Sequence, residues 1–249
     1  MSPAAATHVL ERTGSTQDDA RAGAARGEPA WTTWVADVQD QGRGRQGRAW
    51  IAPPGSALLA SILLRPAIAP QALPPLALVV GLAVSDAIAL RCSAPGRVGV
   101  KWPNDVHLDG RKVAGILVEA ALRGTRVESV VAGFGVNLRR AALPPEVAGR
   151  AIALEEAGAA DLDRMRLLED VRERLAARLE AYEQGGLATV LPDLRARDAA
   201  RGRRVRGESA SGSVSGIARG IADDGRLEVE TDAGLVLVAA GEIVFEPAT

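Results

Sequence analysis

The chain has 249 residues, a formal net charge of −1 and one cysteine, Cys92, so its length suffices for one large domain or for a large and a small one. This near-neutral charge predicts no overall attraction to nucleic acids or acidic membranes, and a lone cysteine excludes an internal disulfide. Because the chain also lacks a signal-like start and any apolar run long enough to span a bilayer, we expect a cytoplasmic globular protein.

In chain order, the residues up to about 198 alternate between predicted strands and predicted helices. Apolar runs between turn residues predict strands at 7–13, 32–38, 57–64, 98–102, 106–108, 112–120 and 128–134. Helical spacing predicts helices at 16–26 and 74–90 and a third from 161 to Gly185-Gly186. Asp109-Gly110 is a strong hairpin signal, and residues 39–55 are predicted to form a loop.

From residue 204 onward the pattern changes to short β segments separated by turns. Strand candidates are 212–221, 227–231 and 235–239, and turns are expected at 209–212, 223–225 and 233–234. About fifty residues of this kind are typical of a small β-barrel. The predicted fold is therefore α/β, with a large domain at 1–198 and a small barrel at 199–249.

Lysine and asparagine are nearly absent from the composition. Of the 30 basic residues only Lys101 and Lys112 are lysines, and the only asparagines are Asn104 and Asn137. All four lie between residues 101 and 137. A lysine ammonium is a compact, rotatable charge that arginine does not replace, so we interpret this segment as a site that needs ammonium groups.

The predicted loop contains the sequence Gly42-Arg43-Gly44-Arg45-Gln46-Gly47-Arg48. Alternating glycines bring backbone N–H groups close to a ligand, and the three arginines add forked donors for phosphate or carboxylate. Because these charges repel each other, we expect the loop to be mobile when empty and ordered when an anion is bound. Taken alone, the string also fits a solvated basic loop or an RNA-binding patch. It is neither a Walker loop nor a dinucleotide fingerprint.

Three further stretches place polar residues or glycines in strands and at strand ends. In Lys101-Trp102-Pro103-Asn104-Asp105, an ammonium leaving a strand can neutralise a carboxylate and a phosphate together. In the paired stretches 112–119 and 133–137, glycines remove bulk from strand faces, which often marks the approach of a ligand. An ordinary strand-to-turn junction for the first, and a bulge or barrel corner for the others, are the alternative interpretations.

Short polar side chains near the first helix suggest a binding site for a neutral ring. Ser15, Thr16 and Gln17, together with Gln39 and Gln41, offer both donors and acceptors. A plain helix N-cap is the alternative for Ser15. All four tryptophans lie within the first 102 residues and favour an aromatic-walled pocket near these loops, although core packing is the default for any one of them.

In this order, the stretches resemble the hallmark motifs of the biotin–protein ligase family, at residues 14–17, 42–48, 101–105, 112–119 and 133–137. The C-terminal residues 216–242 are similar to the family's terminal SH3-like barrel, so the resemblance spans about residues 8–247. It implies a catalytic domain related to class II aminoacyl-tRNA synthetases, with a mixed sheet and flanking helices at 1–198. The SH3-like barrel is implied at 199–249.

The resemblance implies a two-step ligase reaction. Biotin and MgATP give biotinyl-5'-AMP and diphosphate, and a lysine of a biotin carboxyl carrier protein then takes the biotinyl group. ATP and Mg²⁺ are the implied cofactors, and the implied partner is the carrier protein or domain of a biotin-dependent carboxylase. The family includes monomers and homodimers. Only 14 residues precede Ser15, too few for the DNA-binding domain of the family's repressor members, so we expect no DNA binding.

Matching positions imply the role of each residue. Lys101 and Arg45 are the implied catalytic residues, and no protein metal ligand is implied. The implied biotin-binding residues are Ser15, Thr16, Gln39, Gly42, Arg43, Arg45, Trp50, Lys101, Gly115, Gly133 and Gly135. The implied ATP-binding residues are Arg45, Arg48, Asn104, Lys112 and Asn137. Relatives often have Ala-Thr-Ser-Leu where this chain has Ala151-Ile152-Ala153-Leu154, which leaves open how the adenine wall is built.

Two alternative functions are compatible with parts of the sequence. A lipoate–protein ligase or octanoyl transferase is built on a related domain, but such enzymes lack the Gly-Arg loop and the Lys-Trp-Pro-Asn-Asp stretch. A non-enzymatic module that binds anions or nucleic acid through Arg43, Arg45 and Arg48 is the other alternative. The near-neutral charge and the absence of a wider basic stripe argue against it.

Overall fold

A seven-stranded mixed sheet lies at the centre of the larger part of the protein, and a five-stranded antiparallel sheet follows it. The computed structural model describes residues 5–92, 95–209 and 212–246. The strands are β1 (Thr7–Thr13), β2 (Thr33–Gln39), β3 (Ala57–Leu64), β4 (Val98–Lys101), β5 (Asp105–Leu108), β6 (Arg111–Arg123), β7 (Arg126–Asn137), β8 (Arg204–Ser209), β9 (Gly212–Ile221), β10 (Leu227–Thr231), β11 (Gly234–Val238) and β12 (Glu242–Phe245). The α-helices are α1 (Thr16–Ala25), α2 (Leu76–Ala89), α3 (Arg164–Gly185) and α4 (Leu191–Ala196).

The large sheet has the strand order β1-β2-β3-β7-β6-β5-β4 and is covered by helices on both faces. Strands β1 and β2 are parallel, and the other neighbours are antiparallel. On β3, Leu58 and Ile62 pack into the main core with α2 and α3, whereas Leu63 packs with Ala20 of α1 on the opposite face. Burial on both faces explains why β3 is an almost uninterrupted apolar run.

Helix ends show how local sequence sets the boundaries. The Asp163 carboxylate caps α3 by accepting hydrogen bonds from the backbone N–H groups of Met165 (2.8 Å) and Arg166 (3.2 Å). The helix stops where Gly186 takes a φ of 66°, a region that favours glycine. Ser15 occupies the N-cap position of α1, but its side chain makes no capping hydrogen bond. The Ser15 hydroxyl is therefore available for another role.

The C-terminal unit is an antiparallel sheet with the strand order β11-β10-β9-β8-β12. In the part of the chain that the structure describes, no ladder joins β11 to β12, so this sheet is open and does not close into a barrel. It docks on the large domain through a hydrogen bond from the Trp102 indole N–H to the Gly225 carbonyl (3.1 Å). Apolar side chains of both parts, including Val205 and Val229, belong to one continuous core.

The predicted architecture, an α/β domain followed by a small β unit, is confirmed. The predicted helices and strands are present and differ mainly at their ends, and Asp109 and Gly110 form the predicted turn with positive φ values of 52° and 73°. Helix α4 and strands β8 and β12 were not among the predicted elements. Residues 210 and 211 of one predicted turn lie outside the described residues. No helix in the described ranges combines the length and apolarity needed to cross a membrane.

Candidate active site

A cavity of about 1060 Å³ opens between the start of α1, the loop at 42–48, the faces of β3, β6 and β7, and the C-terminal sheet. It brings together all but one of the residues whose implied role is to bind biotin or ATP. The lining residues among them are Ser15, Thr16, Gln39, Arg43, Arg45, Arg48, Trp50, Lys101, Asn104, Lys112, Gly115, Gly133, Gly135 and Asn137. The cavity is the size of a site for one or two small molecules.

Gly42 is the exception, because it does not line the cavity. Its carbonyl accepts a hydrogen bond from the Trp50 backbone N–H (2.8 Å), and a Cβ at this position would lie 2.4 Å from the Trp50 carbonyl oxygen. The glycine is therefore required by close packing of the two ends of the loop. The implied contact of Gly42 with biotin stays a prediction beside this packing role.

Trp50 is the one tryptophan that lines the cavity. Its indole covers Gly115 and Gly135, where an added Cβ would lie 2.9 Å and 2.5 Å from ring atoms. The indole N–H is buried and has no hydrogen-bond partner. Trp34 and Trp102 are core residues and Trp31 packs against the core, so Trp50 is the tryptophan that contributes to the predicted aromatic wall. Phe134 and Phe245 also line the cavity.

A hydrogen-bond network links the start of α1 to β2 and β3. The Gln39 side-chain oxygen accepts from both the backbone N–H (2.8 Å) and the hydroxyl (3.0 Å) of Thr16. The Thr16 hydroxyl also contacts the Ser61 hydroxyl at 2.9 Å, and Ser61 donates to the side-chain oxygen of Gln17 at 3.0 Å. This arrangement fixes the Gln39 carboxamide at the cavity wall, where its N–H₂ group can serve a ligand. Gln41 is exposed and does not line the cavity, contrary to its suggested role.

Ser61 is a member of this network that the sequence analysis missed. It is buried in β3, a strand whose other side chains are all apolar. A single hydroxyl in such a strand needs a hydrogen-bond partner inside the protein. That isolated polar residue was the available signal.

Two lysines share one carboxylate on the opposite wall. Lys112 Nζ lies 2.6 Å from Asp105 Oδ1, and Lys101 Nζ lies 3.8 Å from Asp105 Oδ2. Lys101 is only 6% exposed, and burial lowers the pKa of its ammonium. The two lysines also line the same cavity, so any anion bound there meets a concentrated positive charge. Asp105, which is part of the 101–105 stretch but had no predicted role, therefore holds both lysine side chains in place.

His107 also lines this wall but is held neutral. Burial, followed by the nearby Lys101 charge, lowers the pKa of the imidazole to about 4. Its Nδ1 lies 3.0 Å from the Gly110 carbonyl oxygen, and its ring meets Phe245 edge-on with centroids 5.4 Å apart. A neutral ring adds no further charge beside the two ammonium groups.

Each arginine of the Gly-Arg loop is held by a different part of the protein. Arg43 forms a bidentate pair with Asp18 of α1 (2.6 and 2.7 Å), which holds the pKa of that carboxyl below its usual value. Arg45 Nη1 donates to the Asn104 side-chain oxygen (3.2 Å) and the Gly241 carbonyl (3.3 Å). Arg48 forms a bidentate ion pair with Glu242. Two of the three arginines therefore connect this loop to the C-terminal unit.

The C-terminal contribution was absent from the sequence analysis. Arg203, Glu242 and Phe245 all line the cavity. The Phe245 ring lies 5.6 Å from Lys101 Nζ and 3.5 Å from the Arg203 guanidinium carbon. These residues come more than one hundred positions after Lys101, and no local pattern marks where their sheet docks.

The far end of the cavity forms an apolar slot. Its side chains are small or aliphatic, namely Ala142, Leu143, Pro144, Val147 and Ala151. Asn137 closes the slot, with its side-chain nitrogen 3.3 Å from the Ile152 carbonyl oxygen. Ile152 and Ala153 are buried and do not line the cavity. Ile152 and Ala153 stand where relatives often have the hydroxyl residues Thr and Ser, and this difference therefore does not alter the cavity wall.

The described residues do not group three or more His, Cys, Asp or Glu side chains as a metal site. The two carboxylates nearest the lysines, Asp105 and Glu242, are already paired with cations. The cavity is therefore built for anions, with neutral polar groups at one end and an apolar slot at the other.

Comparison with known proteins places this site in context. A sequence profile of the biotin/lipoate A/B protein ligase family matches residues 10–137, and a profile of the biotin protein ligase C-terminal domain matches residues 201–246. Biotin–[acetyl-CoA-carboxylase] ligase of Mycobacterium tuberculosis is 39% identical over 240 residues, covering 95% of this chain and 87% of the relative. The Paracoccus denitrificans protein of the same name is 35% identical over 244 residues, covering 95% and 99%.

A solved structure agrees with the sequence relatives. The biotin protein ligase from Aquifex aeolicus in complex with biotin and ATP has a TM-score of 0.83 and is 28% identical in sequence. The match covers 98% of this chain and 99% of that chain. The structural similarity therefore extends over both sheets.

Proposed function

Because the chain belongs to the biotin protein ligase family, we propose that it activates biotin with ATP as biotinyl-5'-AMP and transfers the biotinyl group to a lysine of a biotin carboxyl carrier protein. The relatives are named as ligases of acetyl-CoA carboxylase, which supports such a carrier as the partner. The observation that carries this assignment to the site is the buried Lys101 ammonium, which shares one cavity with a neutral polar network and an arginine-rich loop.

Biotin is proposed to bind with its ureido ring against the start of α1. Ser15, Thr16 and Gln39 offer donors and acceptors there, and Gly115 and Gly135 leave the wall without side chains. The Trp50 indole now covers those glycines, so we propose that it moves aside for, or packs against, the biotin tail. Its unpartnered N–H supports such an exchange, because an unpaired buried donor favours a new contact.

In the first step a biotin carboxylate oxygen attacks the α-phosphorus of ATP. The bond from that phosphorus to the bridging oxygen breaks, and diphosphate leaves. Both reactants are anions, so the barrier falls when a fixed positive charge holds them together. Lys101 is proposed to contact the carboxylate and the α-phosphate, with Arg45 beside them. In the second step the carrier amine attacks the carbonyl of the mixed anhydride, and AMP leaves with the acyl–oxygen electrons.

ATP is proposed to lie with its base in the apolar slot beside Asn137. Asn104, Lys112 and Arg48 then face the ribose and phosphates from one wall. ATP would enter as its Mg²⁺ complex, which suits an ion that rarely needs a complete protein cage. The ion screens phosphate charge, and the residues named here supply orientation.

We propose that the protein acts in the cytoplasm, does not bind DNA, works as a monomer or homodimer, and divides into a catalytic domain at 1–198 and a C-terminal unit at 199–249. The match of the C-terminal profile to residues 201–246 supports this division.

The proposed function is tested by calorimetry with biotin, then with biotin plus MgATP, and by biotin-dependent exchange of labelled diphosphate into ATP. We expect exchange with biotin and none with lipoate or octanoate, which separates the related ligases. Filter binding of nucleic acid at several salt concentrations tests the remaining alternative, because phosphate contacts give a steep salt dependence. Absence of both biotin binding and exchange contradicts the proposal.

Gly133→Ala should weaken biotin binding by disturbing the network behind Thr16. A Cβ at this position would lie 2.3 Å from the Gln17 side-chain oxygen, which accepts from Ser61. Loss of one or two such hydrogen bonds corresponds to about 1–3 kcal/mol, which is an increase of about fivefold or more in dissociation constant. Calorimetry measures the change. Gly149→Ala, on the exposed rim with no atom within 4 Å of its Cβ, is the matched control. Equal biotin affinity in both variants would show that the network does not position Thr16.

A further inference from the structure

One arginine of the C-terminal unit reaches the cavity without an acidic partner. Arg203 lies just before β8, and within the described residues its side chain makes no hydrogen bond and no ion pair. The other C-terminal charge at the cavity, Glu242, is paired with Arg48. A partly buried cation that has given up water without gaining a carboxylate is unfavourable unless a ligand completes it. Burial accordingly lowers the pKa of this guanidinium.

The position of Arg203 is fixed before any ligand arrives. Its backbone N–H donates to the Ala200 carbonyl (3.0 Å), and its carbonyl accepts from the Ala218 N–H (2.9 Å). The ladder between β8 and β12 pairs Val205 with Phe245, which brings the aromatic ring beside the guanidinium. Stacking at 3.5 Å uses the face of the guanidinium, so the N–H donors at its edge remain free.

Phe245 also relates Arg203 to the reacting centre. Lys101 Nζ lies 5.6 Å from the centroid of the same ring, so the two cations are separated by no more than the sum of these two distances. This end of the cavity carries five cations, namely Lys101, Lys112, Arg45, Arg48 and Arg203, against the two carboxylates of Asp105 and Glu242. One biotin carboxylate does not balance that excess, whereas a triphosphate does.

We propose that Arg203 binds the β- and γ-phosphates of ATP and the departing diphosphate, and that Phe245 holds its guanidinium in the orientation for this contact. The inference rests on the proposed function. When the α-phosphorus–oxygen bond breaks, negative charge builds up on the diphosphate, and a planar fork of donors matches phosphate oxygens in pairs. The C-terminal unit thereby supplies a positive group to the leaving side, while Lys101 serves the attacking side.

The test compares the full-length chain with Arg203→Gln, which removes the charge but retains a polar planar end. Loss of a hydrogen-bonded charge contact predicts an increase of about tenfold or more in the KM for MgATP and in the dissociation constant of inorganic diphosphate. Biotin affinity without nucleotide should be unchanged. The KM for MgATP of Arg203→Lys should lie between that of the wild type and that of Arg203→Gln. Arg201→Gln, at an exposed neighbouring position outside the cavity, is the matched control.

The possible outcomes separate the interpretations. An unchanged KM for ATP in Arg203→Gln overturns the proposal, and so does an increase confined to the KM for the carrier protein. Phe245→Leu keeps the cation but removes the ring, so a smaller increase in the KM for ATP supports the orienting role of Phe245, and no increase overturns it. If the wild-type chain shows no biotin-dependent exchange, the proposed function fails. Diphosphate binding by calorimetry still decides whether Arg203 is a phosphate contact.

Discussion

Replacing Lys101 with methionine is expected to reduce biotin-dependent diphosphate exchange by at least about 10²-fold, as is typical when a preorganised electrostatic group is removed. Lys101 is 6% exposed, and its ammonium is proposed to lie where the biotin carboxylate and the α-phosphate approach each other. Methionine has a similar length and no charge, so it keeps the packing and removes only the electrostatic attraction. Exchange rates at saturating biotin and ATP measure the effect.

The fold is expected to survive this change for a reason visible in the ion pairs. Asp105 keeps its closer partner, Lys112, at 2.6 Å when Lys101 is lost at 3.8 Å, so no buried carboxylate is left unpaired. Burial lowers the pKa of Lys101, which means that the folded protein pays a desolvation cost for the charge. The melting temperature should therefore be unchanged or higher. Near-normal exchange in Lys101→Met would refute the assigned role.

Lys112→Met separates the roles of the two lysines. Lys112 is more exposed and is assigned to the nucleotide, so its loss should mainly raise the KM for ATP. Lys101→Met should instead lower the maximal rate, because its contact is strongest in the transition state. If both variants changed the KM for ATP and the maximal rate in the same proportion, the two lysines would act as one unit.

The parts of the site that sequence reasoning located are those encoded by local chemistry. The scarcity of lysine and asparagine pointed to Lys101, Asn104, Lys112 and Asn137, and the structure brings all four to one cavity. The sequence could locate these four residues because β4 to β7 are neighbours in the large sheet, so residues close in sequence remain close in space.

The parts that were missed depend on distant contacts. Arg203 and Phe245 become neighbours of Lys101 only when the second sheet docks. Strand β8 has a single apolar residue, and β12 is only four residues long, so neither has a clear strand pattern. Gly42 illustrates a different difficulty. The sequence indicated that the position needs a residue without a side chain, but only coordinates show that the neighbouring atom is the Trp50 carbonyl oxygen.

Loosening the Gly-Arg loop is expected to release biotinyl-5'-AMP from the enzyme. In Arg45→Ala the contacts to the Asn104 side chain and the Gly241 carbonyl are lost, so the loop no longer connects the two sheets at this point. Hydrogen bonds from a charged group contribute about 1.5–3 kcal/mol, which predicts about tenfold or more faster escape of the adenylate. Chromatography of a filtrate after one turnover, without carrier protein, measures the released adenylate.

Two glycines of the same loop provide a matched pair for this idea. Gly42→Ala places a Cβ 2.4 Å from the Trp50 carbonyl oxygen, whereas at Gly44 the nearest atom is 3.8 Å away and the backbone is extended. We therefore expect Gly42→Ala to weaken biotin binding or release adenylate, and Gly44→Ala to resemble the wild type. Limited proteolysis adds an independent measure, because a loop that closes over ligand should be cut more slowly at residues 43–48 when biotin and MgATP are present. Equal cutting rates with and without ligand would contradict closure, because the contacts of the loop to Asp18, Asn104 and Glu242 would then be the same in both states.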